Sequence, residues 1–350
     1  MQIKNENVMR YLLIATGILL MATTGCRKFD MPDNVPAANP ILTNMVRGAD
    51  VSWITEMEDA GLKFYDTTGK QTDGMQLMKD MHLNAIRLRV WVNPANRYNN
   101  IADVTAKAVR ANSLGMKLMI DFHYSDSWAD PAKQTTPAAW SGQDITALQT
   151  SVYNHTHEVL SALKAKGITP GWVQVGNETN DGMLWPLGKA SEHMDNFALL
   201  INAGYKAVKE IDNNIKVIVH VSNGYNNELF RWMFDGLTQN KANFDIIGMS
   251  LYPATAEWQT PNQQCEANMK DMIARYNKEI MICEAGMPAT APVATNFFIT
   301  DLFRRIHNLP DGKGLGIFYW EPQAYNKWQN YSLGAFDNSG KPTFAMDAFR

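Results

Sequence analysis

The sequence predicts a single (β/α)8 TIM barrel, and three observations carry that expectation. Eight short apolar runs, at 46–52, 85–92, 117–124, 172–178, 217–223, 244–252, 280–284 and 315–320, alternate with longer amphipathic stretches. Strands alternating with helical patterns make parallel βαβ units, and eight such units close into a barrel. The series runs from residue 45 to residue 350 without a linker, so one domain of 45–350 accounts for it. No G-x-G-x-x-G follows the first run, which removes the nucleotide fingerprint of the doubly wound alternative.

Ahead of the barrel, Lys4 and Arg10 precede an apolar run at 11–22. That run is too short to span a bilayer, which takes about 20 apolar residues. Thr23-Thr24-Gly25 then lead to Cys26, so 1–26 reads as an export signal. The Gly25-Cys26 junction resembles the lipobox of bacterial lipoproteins, with Cys26 as the lipid attachment point and Thr23 where that pattern usually has Leu. The expectation is an exported lipoprotein of the outer membrane or cell surface, anchored rather than spanning. Residues 27–44, with Pro32, Pro36 and Pro40 and no periodicity, read as a tether.

Within the barrel, Val104, Ala108, Ala111 and Leu114 recur at helical spacing after Asp103, and Leu148, Val152, Val159 and Leu163 do so after Asp144. Both aspartates stand where N-caps belong. Cys265 and Cys283 either pair or stay buried as free thiols. The net charge of -3 and the lack of a basic stretch give nucleic acid no footing as a partner. Ten tryptophans are many, and indole supplies the flat apolar face on which sugar rings stack.

In this fold, chemistry sits at the C-terminal ends of the strands. Those ends offer Asp50, Ser52 and Trp53; Arg87, Arg89 and Trp91; Asp121, His123, Tyr124, Asp126 and Trp128; Asn177 and Glu178; His220 and Asn223; Ser250 and Tyr252; Glu284; and Trp320 with Glu321. The set is rich in carboxylates and ringed by aromatics. Arg87, Asp50 and Asp121 read equally well as a structural ion network. Glu178 and Glu284 each end an apolar run directly and come from different strands facing one mouth. Two such carboxyls suggest glycoside hydrolysis, one as acid/base and one as nucleophile, retaining if about 5–5.5 Å apart. The nucleophile needs cationic or hydrogen-bonding neighbours, for which Arg89 and Tyr252 are candidates beside Glu284. Glu178 takes the acid slot, with His220 as a possible partner and Asn177 donating to a sugar 2-hydroxyl. Glu321 is expected in the outer layer, because Trp320 is the inward residue and neighbours on a strand face opposite ways.

The segments R47-GADVSW-53, R87-LRVWVNP-94, D121-FHYSDSWADP-131, V173-QVGNE-178, L184-WPLG-188, S250-LYP-253 and E284-AG-286 resemble the glycoside hydrolase family 53 pattern. That family comprises endo-β-1,4-galactanases. The resemblance implies retaining cleavage of β-1,4-galactan or galacto-oligosaccharides. It puts the acid/base on Glu178 and the nucleophile on Glu284, with Asn177, His123, Asp126, Trp128, Tyr252 and Trp320 in the sugar cleft. Arg89, Trp91 and His220 join them as expected binding residues. Some bacterial members hold calcium in a loop after the seventh strand. Residues 285–298 here contain no Asp, Glu or His, so no calcium and no cofactor is expected there, though backbone carbonyls and Asp337 and Asn338 remain open as ligands. A monomer is expected. The rival readings are a β-mannanase or cellulase on the same barrel and a glycan-binding lipoprotein that does not cut. Binding alone gains little from crowding two anions. A metal-dependent hydrolase would have only His123, His220 and Asp121 to draw on.

Overall fold

The computed structural model describes residues 40–350. The export segment and Cys26 lie outside the described residues. Eight strands close into a barrel: β1 (Val46–Asp50), β2 (Ala85–Val90), β3 (Lys117–Phe122), β4 (Trp172–Val175), β5 (Lys216–Val221), β6 (Ile246–Leu251), β7 (Glu279–Ala285) and β8 (Gly314–Trp320). Each pairs in parallel with the next, and β8 pairs with β1. The first connection carries α1 (Ile54–Asp59), a ribbon of Phe64–Tyr65 against Gln71–Thr72, and α2 (Gly74–Asp80). After β2 to β7 come, in turn, α3 (Ile101–Ser113), α4 (Ile145–Lys164), α5 (Ala190–Ile211), α6 (Asn227–Gln239), α7 (Gln259–Tyr276) and α8 (Pro292–His307). Among the described residues, no helix is long and apolar enough to cross a membrane.

Asp144 caps α4, its carboxylate accepting from the Ala147 amide at 2.8 Å. The other expected cap moves. Asn100 caps α3, accepting from the Asp103 amide at 2.9 Å. Asp103 then lies in the first turn, where its negative charge meets the positive end of the helix dipole, and it pairs with Lys107 at 2.8 Å. The last part of the stretch expected as a tether takes regular structure. Pro40–Leu42 forms a 3-10 turn, and Leu42 and Met45 are buried in the core.

Inside the barrel, Val46, Ala85, Met119, Trp172, Ile218, Ile246, Met281, Cys283 and Phe318 form an apolar plug separate from the strand–helix core. The strands feed it with alternate residues, so the next inward positions make a polar layer above it. Gly48 leaves room for the plug: a Cβ there would lie 2.2 Å from the Phe318 ring. Cys265 and Cys283 are buried free thiols, which closes the pairing alternative.

Gly316 holds the seam between β8 and β1, where it is paired with Val46. Its φ is 149°, and a Cβ would fall 2.0 Å from the Val46 carbonyl oxygen. Gly316→Ala is expected to lower the unfolding free energy by roughly 1–3 kcal/mol, read as a lower urea midpoint at unchanged slope. An unmoved midpoint would show that the seam relaxes freely.

Candidate active site

The polar layer is organised by Arg87, fully buried at the middle of β2. One terminal nitrogen reaches Asp50 at 2.7 Å and Glu284 at 2.9 Å. The other reaches Asp121 at 2.9 Å and the Asn177 side-chain oxygen at 2.9 Å. Nε donates to Gln174 at 3.3 Å. A guanidinium presents five donors in a planar fork, so one cation serves several acceptors around the lumen. Burial works upward on Asp121, but Arg87 and then His123 hold its carboxyl below the usual range.

Two carboxyls reach the mouth by different backbone devices. On β7, Met281 and Cys283 already face the lumen, and strict alternation would turn Glu284 outward. The register of β7 against β6 slips between Met249 and Ser250, and against β8 between Ile317 and Tyr319. The bulge swings Glu284 inward. At β4 the strand ends on Val175, after which Gly176 and Glu178 take left-handed φ values of 86° and 43°. A left-handed non-glycine residue is uncommon and clusters at functional sites. Here it lets two consecutive side chains, Asn177 and Glu178, line the same cleft.

Glu284 and Glu178 are set in unlike surroundings. Glu284 contacts Arg87 and accepts the Tyr252 hydroxyl at 2.8 Å. Burial raises its carboxyl; Arg87 opposes this, and the charge of Glu178 adds to it. Among the described residues, Glu178 accepts only from Ser250, whose hydroxyl donates to Oε1 at 2.7 Å. Burial raises Glu178 too, with Ser250 and Arg87 opposing and Asp130 and Asp121 adding. His220 stands behind Ser250, with Nε2 at 2.7 Å from its oxygen. Burial, then the Arg87 charge, hold His220 well below the usual imidazole range, so it is neutral. Since the Ser250 proton goes to Glu178, His220 donates from Nε2. Its Nδ1 accepts from Gln174 at 2.9 Å and from the Glu178 amide at 3.3 Å. His220 therefore meets Glu178 through Ser250 and through the backbone.

The cleft above measures about 440 Å³. Of the expected residues it is lined by His123, Trp128, Asn177, Glu178, Tyr252, Glu284 and Trp320. It also takes in Asp130, Pro131, Ser222, Asn223, Tyr331 and Leu333. The D-x-W-A-D-P segment already carried Asp130 and Pro131, whereas Tyr331 and Leu333 sit in a loop with no legible pattern. His123 spends both ring nitrogens inward: Nε2 on Asp121 at 3.0 Å, and Nδ1 accepting from the Ala129 amide at 3.1 Å.

Several expectations are corrected. Arg89 does not line the cleft or touch Glu284; it is 1% exposed and pairs with Glu321 at 2.5 Å. The cation on Glu284 is Arg87. Trp91 lies buried under Trp128, their rings 5.4 Å apart. Asp126 ties its loop, accepting from the Asn93 and Ala138 amides at 3.0 and 2.8 Å. His220 is fully buried. Glu321 is not in the outer layer. Its φ of 47° breaks the alternation, and its carboxylate accepts from the Trp53 amide at 3.1 Å and from Gln323 at 2.6 Å. Trp140 packs on Tyr124 and His155, and Trp185 donates to the Asp181 carbonyl at 2.8 Å.

A closed parallel barrel with two carboxyls of unlike environment over an aromatic-lined cleft defines a barrel glycoside hydrolase. The family model for glycosyl hydrolase family 53 matches residues 46–296 and 289–349, and the chain belongs to that family. It is 32% identical to an arabinogalactan endo-beta-1,4-galactanase of Thermothelomyces thermophilus over 87% of this chain and 98% of the relative. An uncharacterized protein in the bgaB 5' region of Niallia circulans is 35% identical over 85% of this chain and 89% of its own length. Among solved structures, a fungal beta-1,4-galactanase superposes with a TM-score of 0.81 at 29% identity, covering 86% of this chain and 98% of its own.

Proposed function

We propose that this chain hydrolyses β-1,4-galactosidic linkages in galactan with retention of configuration, Glu178 acting as acid/base and Glu284 as nucleophile. The observation that carries the division of roles is the asymmetry of contacts. Glu284 touches a guanidinium and a phenol, whereas Glu178 has one hydroxyl. When burial leaves a single proton on the pair, the direct cation contact keeps the anion on Glu284, and the proton rests on Glu178. Ser250 occupies Oε1 of Glu178, so the proton sits on Oε2, the oxygen left for the glycosidic oxygen.

In the first step Glu178 protonates the leaving oxygen as that C–O bond breaks. The Glu284 carboxylate bonds to the anomeric carbon through an oxocarbenium-like transition state, leaving a glycosyl ester. In the second step Glu178, now anionic, takes a proton from water as the water oxygen displaces Glu284. The Asn177 side-chain oxygen is fixed by Arg87, and its amide nitrogen donates one hydrogen to the Ala129 carbonyl at 2.9 Å. The second hydrogen is left for a 2-hydroxyl. The route calls on no cofactor, and a monomer belongs to the same proposal. Anchoring through Cys26 belongs to the same proposal and rests on the Gly25-Cys26 junction. Labelled fatty acid failing to enter the protein in a bacterial host would remove it.

Product analysis on linear β-1,4-galactan, mannan and glucan tests the substrate. Cleavage of mannan or glucan in preference to galactan would move the assignment to the rival barrel hydrolases. No new reducing ends on any of them would favour a glycan-binding protein. Glu178→Ala tests the roles. It is expected to lose about 10²–10⁴-fold on galactan while sparing the first step on aryl galactosides with good leaving groups, which need little protonation. Equal loss on both substrates would reverse the division. Tyr252→Phe removes a donor that lowers the Glu284 pKa. That pKa then rises, so the acidic limb of the pH–rate profile moves to higher pH. A limb that stays put would separate it from Glu284.

A further inference from the structure

The Arg89–Glu321 pair has no role in the chemistry above, and it is an unusual thing to bury. Arg89 is 1% and Glu321 0% exposed, and the Nε and second terminal nitrogen of Arg89 have no hydrogen-bond partner among the described residues. Indole faces stand in for them. The guanidinium carbon lies 4.3 Å from the Trp128 ring centre, 5.2 Å from Trp53 and 5.5 Å from Trp91. A desolvated cation over an indole is among the stronger non-bonded contacts, and a planar guanidinium also stacks. Trp53 is itself packed edge-on to Trp128 at 5.7 Å and to Trp320 at 5.2 Å. Trp128 and Trp320 both line the cleft, 5.8 Å apart at 65°. Glu321 holds the assembly at both ends, bonding Arg89 and the Trp53 amide.

We propose that Arg89 and Glu321 form a positioning unit that fixes the tilt of Trp128 and, through Trp53, of Trp320, so that the apolar C–H face of a pyranose meets rings already set in place. This rests on reading the cleft as a sugar site. An aromatic floor that is locked before binding spares the ligand the cost of ordering it. The pair then governs how tightly the sugar is held and leaves the reacting carboxyls alone.

The test is Arg89→Lys beside Arg89→Met/Glu321→Gln, the second leaving no unpaired charge should the first fail to fold. Both are expected to raise KM on galactan about tenfold with kcat within about twofold, and to weaken the tryptophan bands of the near-ultraviolet circular dichroism. Lysine does not rescue, because a point charge lacks the stacking plane. Unchanged KM and tryptophan bands overturn the proposal, and so does a fall in kcat at constant KM, which would place Arg89 in the chemistry. Wild-type protein inactive on galactan would instead count against the proposed substrate. The positioning role is then read from the near-ultraviolet bands, and from titration of tryptophan fluorescence with galacto-, manno- and gluco-oligosaccharides.

Discussion

Glu284→Ala is expected to reduce kcat on galactan by roughly 10⁵-fold, about 7 kcal/mol of barrel-centred barrier at 1.36 kcal/mol per tenfold. The size follows from what the residue alone supplies. On the proposed route no glycosyl ester forms without it, and Glu178 would only protonate a leaving group that nothing displaces. The shortened side chain leaves space beside Arg87 and Tyr252, which contact the carboxylate in the native site. Azide, a small anion, fits the same electrostatic slot. On an activated aryl β-galactoside it is expected to restore turnover and to give the α-galactosyl azide, because attack comes from the face Glu284 used. The corresponding product from Glu178→Ala should be the β-azide, formed after the ester. Proton NMR of the anomeric centre distinguishes them. Full activity of Glu284→Ala, or a β-azide from it, would remove Glu284 from the nucleophile's place.

The fold was legible because a parallel barrel buries its strands on both faces, which leaves near-continuous apolar runs such as Val217 to Val221. The ribbon between α1 and α2 was not, because two-residue strands carry no period. Glu178 and Glu284 stood out as carboxyls directly after such runs. How each turns inward was hidden. A bulge in β7 and a left-handed residue after β4 are backbone events that residue type does not announce. The same blindness sent Glu321 to the wrong layer, since φ at that position overrides alternation. The choice between Arg87 and Arg89 as the cation for Glu284 was equally out of reach. Both face the lumen two residues apart, and only the height of Glu284 in the barrel decides which one it meets. Asp126 was misplaced for a different reason. Its partners are amides at Asn93 and Ala138, one from the preceding strand's loop and one twelve residues on, so the contact exists only after folding.

Arg87→Met should injure stability and catalysis together. Asp50, Asp121 and Glu284 would lose their common cation inside the barrel, where removing one partner of a buried pair costs about 3–5 kcal/mol. A fall of roughly 10 °C in the unfolding midpoint corresponds to that loss for a domain of this size. Its pH dependence has a definite sign. The native pKa of Asp121 is depressed, so its contribution is present above the unfolded carboxyl range and is lost as pH falls through the native value. Without Arg87 the Asp121 pKa rises, and the deficit against wild type is largest near neutrality and shrinks on acidification. Catalysis suffers by a separate route. Glu284 loses the cation that opposes protonation, so its ionised fraction falls at neutral pH, and Asn177 loses the donor that fixes its amide. Arg87→Lys separates the two. Its point charge restores part of the stability, but it cannot fork to Asp50, Glu284, Asp121 and Asn177 at once, so activity stays low. An Arg87→Met protein that melts with wild type at pH 7 would show that these carboxyls are held by something other than Arg87.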